Sequence, residues 1–84
     1  MAVVTTTVAL AADTWVQVST GQANVLVQRT SGIIRVAVKA TSPAGAVGHI
    51  LDDDLSAISF SSLGAADLVW ARSDNQDQKV VVTA

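Results

Sequence analysis

Apolar and polar positions alternate with a period of two along much of this chain. The pattern is cleanest from Ile33 to Ala40, where Ile34, Val36 and Val38 fall on one side and Arg35 and Lys39 on the other. Such alternation marks a strand with one dry face and one wet face. Val3 to Leu10 repeats it, with Val4, Thr6, Val8 and Leu10 sharing a face. Trp15 to Ser19 sets Val16 and Val18 against Trp15 and Gln17. Ala23 to Arg29 sets Val25 and Val27 against Leu26 and Gln28. Further runs are a short one at Gly48 to Leu51, then Leu55 to Ser61 with Ile58 and Phe60 inward, Asp67 to Ser73, and Gln78 to Thr83.

Turn-forming clusters separate these runs at intervals that indicate a sandwich or barrel. The expected fold is therefore all-β: a small antiparallel β-sandwich, or a jelly-roll or immunoglobulin-like barrel, of seven or eight short strands in one domain over 1–84. Thr30-Ser31-Gly32 is short and offers a glycine for positive φ, so it predicts a hairpin between the third and fourth strands. The polar Asp74-Asn75-Gln76-Asp77 predicts a second hairpin between the last two. The long Thr41 to Gly48 stretch carries Pro43, Gly45 and Gly48, and reads as a crossover loop of a Greek-key or jelly-roll path. A helix has little room, because Leu63 to Val69 is short and interrupted by Gly64.

Composition narrows the functional classes. Half the residues are hydrophobic, 14% are charged, the net charge is −2 and cysteine is absent. The five cations are scattered and form no basic stripe, which argues against nucleic acid as a partner. The same scarcity argues against an anionic membrane surface. The longest apolar run, Val8 to Ala12, is far short of a bilayer span. Val8 to Asp13 has the look of a signal-peptidase site, yet no Lys or Arg precedes Arg29 and Thr5-Thr6-Thr7 breaks the apolar stretch, so an ordinary first strand is the better reading. Without disulfides, a chain of this mass is expected to bury about 60% of its unfolded surface and to keep roughly 4,700 Å² exposed. That thin core predicts that neighbouring subunits add buried area.

Reactive chemistry is sparse: one His, no Cys, no Tyr and no Glu. His49 with Asp52, Asp53 and Asp54 is the one cluster with metal-ligand chemistry, but consecutive Asp on an extended chain diverge and the spacing is not that of a calcium loop. A solvated turn is the better reading. No Ser sits in a nucleophile elbow, and Arg72-Ser73-Asp74 carries no weight as a motif. No catalytic, cofactor or metal site is assigned. Trp15 and Trp70 are candidate stacking aromatics for a sugar, although packing explains them better. Val3, Val4, Val80, Val81 and Val82 form the candidate oligomer interface. These terminal runs are apolar on both faces and lack the charges that usually guard sheet edges.

The order of segments carries a resemblance. Trp15-Val16-Gln17-Val18-Ser19 precedes Val25-Leu26-Val27-Gln28. Ile34-Arg35-Val36-Ala37-Val38 leads to Pro43 and Gly48-His49-Ile50-Leu51. Val69-Trp70-Ala71-Arg72-Ser73 and Val80-Val81-Val82-Thr83 close the chain. This resembles the small all-β proteins that tailed bacteriophages encode beside their capsid and tail-fibre genes. The resemblance implies a non-enzymatic virion protein, either a capsid decoration or cement protein or a fibre module. It implies a homo-oligomer, dimer or trimer, bound to the major capsid protein or other virion proteins, and location in the virion after assembly in the host cytoplasm. The alternative function is a tail- or head-fibre module that binds a receptor or carbohydrate. A single domain opening on Met1 fits a free decoration protein better than a fibre segment.

Overall fold

The structure is a computed structural model that describes residues 4–45, 47–74 and 76–84. Eight strands form among the described residues: β1 (Thr5–Leu10), β2 (Val16–Gln17), β3 (Val25–Arg29), β4 (Ile34–Lys39), β5 (His49–Leu51), β6 (Ala57–Phe60), β7 (Leu68–Ser73) and β8 (Gln78–Thr83). They lie in two antiparallel sheets, ordered β1-β8-β3-β6 and β2-β7-β4-β5. The all-β sandwich expected from the alternation is what forms.

The core follows directly from that alternation. Leu10, Val25, Val27, Val80 and Val82 project inward from the first sheet. Ile34, Val36, Leu51, Val69 and Ala71 meet them from the second. Each larger side chain withdrawn in this way contributes about 1.5–3 kcal/mol. The folded surface is 4632 Å², close to the value expected from mass alone. Two buried serines complete the interior. Ser19 Oγ accepts the Val69 N–H at 2.8 Å just past the end of β2. Ser73 Oγ donates to the Gln76 carbonyl.

The pairing corrects both expected hairpins. β3 pairs with β6 and β8, whereas β4 pairs with β5 and β7, so Thr30-Ser31-Gly32 links the two sheets. The physical reason is that Val25 and Val27 must face Ile34 and Val36 across the core, not lie beside them. Gly32 makes the corner at φ 71°, and a Cβ there would come within 2.7 Å of the Gln78 amide. Arg29 holds the corner by donating from NH1 to the Gly32 carbonyl at 3.0 Å and from Nε to the Asp52 carbonyl at 2.7 Å. β7 and β8 likewise belong to different sheets, so the turn after Asp74 is also a link between layers. Residue 75 lies outside the described residues. The long 41–48 connection, expected to cross over, instead joins the adjacent strands β4 and β5.

One rule summarises the path. β1 pairs with β8, β2 with β7, β3 with β6 and β4 with β5. The chain is a long ribbon folded back on itself after β4 and then wrapped into two layers. The further pairs β3–β8 and β4–β7 complete each sheet. That is the path of a jelly roll. It excludes the immunoglobulin-like alternative, in which the first two strands neighbour one another in one sheet.

Candidate interaction surface

The outward residues of the first sheet fall into cross-strand rows set by the register. Thr5, Thr83, Leu26 and Ser59 make one row, and Thr7, Val81, Gln28 and Ala57 the next. Ala9 and Lys79 begin a third. Every side chain in these rows is exposed or half-buried, and Lys79 is the one that carries charge. Thr5 and Thr83 share a hydroxyl–hydroxyl hydrogen bond of 2.9 Å across the ladder. Small, β-branched and uncharged side chains on a pleated surface give a low-relief face whose desolvation costs little.

The outer face of the second sheet is different. Arg35 and Arg72 stand directly opposite each other on β4 and β7. Like charges in that relation repel. Asp74 relieves the repulsion: Oδ2 lies 2.7 Å from Arg35 Nε, and Oδ1 lies 3.2 Å from Arg72 Nε. Asp13 Oδ1 adds a contact with Arg72 NH2 at 3.3 Å. Arg35, Arg72 and Asp74 are each about four-fifths buried, so the cluster is a fixed part of the fold. Replacing Asp74 by Ala removes the carboxylate shared by two facing guanidinium groups and leaves Asp13 beside Arg72 alone. It is expected to cost about 1–2 kcal/mol, read as a lower midpoint in urea unfolding.

Trp15 and Trp70 are both half-buried. The Trp70 indole N–H donates to the Lys39 carbonyl at 3.0 Å, and that of Trp15 to the Gly45 carbonyl at 2.9 Å. The two indoles thereby pin the 39–45 segment at both ends, with Pro43 buried between them. This brings the two tryptophans to one structural task, and it consumes the polar edge of each ring.

No family model, curated protein or solved structure matches the chain.

The candidate interface residues separate. Val80 and Val82 lie in the chain's own core, because β8 is a central strand between β1 and β3. That accounts for the inward apolar face of β8 without a second subunit. Val81 belongs to the outer rows, half-buried between Thr7 and Gln28. Val4 is 54% exposed and extends the β1–β8 ladder by exchanging backbone hydrogen bonds with Ala84. Val3 lies outside the described residues.

The acidic run takes a structural form. Asp52 accepts from the N–H groups of Asp54 and Leu55 at 2.9 and 3.1 Å, and Asp53 pairs with Arg29. These residues border a surface concavity of about 390 Å³ with Ile33 and Gly32. His49 is exposed and its ring lies 6.1 Å from that of Phe60. Among the described residues no group of three His, Cys, Asp or Glu is arranged to hold a metal ion.

Proposed function

We propose that this chain is a non-enzymatic structural protein of a tailed-bacteriophage virion, a capsid decoration or cement protein that self-associates and binds the head shell. The observation that carries the reading is the outer face of the first sheet, a set of uncharged rows interrupted by Lys79 alone. A face of that kind suits burial against protein. It has few ions to desolvate and little relief to match. The jelly-roll path is compatible, since this architecture serves viral capsid proteins, although it also serves lectins and so does not choose between them.

The test is the protein's copy number in purified particles. A decoration role predicts a stoichiometric ratio to the major capsid protein, and absence from particles removes the reading. Val81→Glu places a carboxylate in the middle of the uncharged rows. It is expected to lower retention on isolated head shells at least about tenfold, with an unchanged circular dichroism spectrum.

A further inference from the structure

β1 is the longest edge strand of the sandwich, and the hydrogen-bond alternation shows which of its backbone groups are open. Val4 and Ala84 exchange both backbone hydrogen bonds, at 2.8 and 3.0 Å. The register continues without a bulge to Leu10 opposite Gln78. In an antiparallel ladder alternate residues turn both backbone groups toward the same neighbour. Val4, Thr6, Val8 and Leu10 therefore bond to β8, and Thr5, Thr7 and Ala9 direct their N–H and C=O groups out from the sheet edge. Beyond Leu10 the free run ends. The Ala11 carbonyl accepts from the Thr14 N–H, and the Ala12 N–H donates to Asp77 Oδ1.

We infer that β1 pairs antiparallel with β1 of a second copy, with the two-fold axis at Thr7. This rests on the self-association in the function proposed above and gives it a geometry. The register follows from the open groups. Thr7 opposite Thr7 and Thr5 opposite Ala9 use every outward N–H and C=O, six hydrogen bonds in all, whereas a slip in either direction leaves some unpaired. A two-fold contact sets each residue against its own kind, so any charge near the axis would repel itself. β1 has none. The same register sets Val4 of one copy opposite Leu10 of the other and thereby covers Val4, the most exposed large apolar side chain among the described residues. The other edges offer less: β2 has two residues, β5 three and β6 four. The product is one continuous eight-stranded sheet that doubles the uncharged outer face.

A single strand pair is narrower than the roughly 800 Å² per partner of a standard interface. Dimerisation is therefore expected at about 1–100 µM, and light scattering on the full chain up to about 1 mM should record it. Thr7→Pro removes an N–H that β8 does not use, a position where an edge strand tolerates proline. It should weaken the dimer about thirtyfold through two lost hydrogen bonds. The chain has no cysteine, so single thiols report the register directly. Thr7→Cys places two Cα atoms about 5.5 Å apart across the axis, within disulfide reach, and should oxidise to a covalent dimer. Thr5→Cys faces Ala9 of the other copy and should remain free. A full chain that stays monomeric at about 1 mM overturns the inference, as does equal cross-linking of Thr5→Cys and Thr7→Cys or of neither. None of these results depends on whether the protein is present in virions, so the pairing and the proposed function can fail separately.

Discussion

Gly48→Ala is expected to lower the melting temperature by about 15 °C, as read by tryptophan fluorescence. Gly48 sits at φ +95°, where an L side chain is strained, and a Cβ there would lie 2.6 Å from the Val36 carbonyl oxygen and 3.1 Å from its carbon. Neither atom belongs to a side chain that could swing aside. Both are backbone of β4, whose Val36 is paired with His49 and buried. Relief therefore means moving β5 away from β4. The strain and the displacement together are expected to cost about 3 kcal/mol. For a domain of this size each kcal/mol shifts the midpoint by about 4–8 °C. Amide exchange should quicken first in β5, because its three residues depend on that single neighbour.

Leu51→Ala should be as damaging by a different route. Leu51 is fully buried and stands opposite Ile34, which is also fully buried. The truncation leaves a void between the sheets and is expected to cost about 3–4 kcal/mol. With a total stability of about 4–13 kcal/mol for 84 residues, that is a large share of what holds the domain together. Leu55→Ala, four residues on and 49% exposed, is the matched control and should change stability by no more than about 0.5 kcal/mol. Equal losses at Leu51 and Leu55, measured by urea unfolding, would contradict the assigned core.

Strand positions were legible because period-two alternation reports which face is dry, and β4 shows the reason in one line of sequence. Ile34 and Val36 are fully buried between the sheets, whereas Arg35 and Lys39 lie on the opposite, outer face, half-buried and exposed. Strand partners were not legible. Thr30-Ser31-Gly32 has the chemistry of a hairpin turn, but a corner between two sheets needs the same features: short length, polarity and a glycine at positive φ. Only the demand that Val27 and Ile34 oppose each other across a core separates the two cases, and that demand is tertiary. For the same reason, the run Val80 to Val82 could not announce that two of its three side chains face the chain's own core and only Val81 faces out. The Arg35–Asp74–Arg72 cluster is only partly legible in the sequence. Arg72 and Asp74 are two residues apart and so share a face of β7 and its extension. Arg35 enters only once β4 is known to lie beside β7.

The mirrored pairing order also has a consequence for how the chain is made. Among the described residues, β4 with β5 is the only pair of strands that neighbour each other in both sequence and sheet, and the pairs β3–β6, β2–β7 and β1–β8 enclose it in turn. Closing the inner pair first brings β3 to β6, then β2 to β7, and last β1 to β8, so each closure shortens the search for the next. During synthesis, however, β8 leaves the ribosome after all the others, and it is the strand that joins β1 to the β3–β6 pair. The first sheet therefore cannot be completed until translation has passed Thr83, and β1 waits for its partner longer than any other strand. In a crowded polysome, a waiting β1 can meet the finished β8 of a neighbouring chain before its own, which would let strand exchange begin at birth.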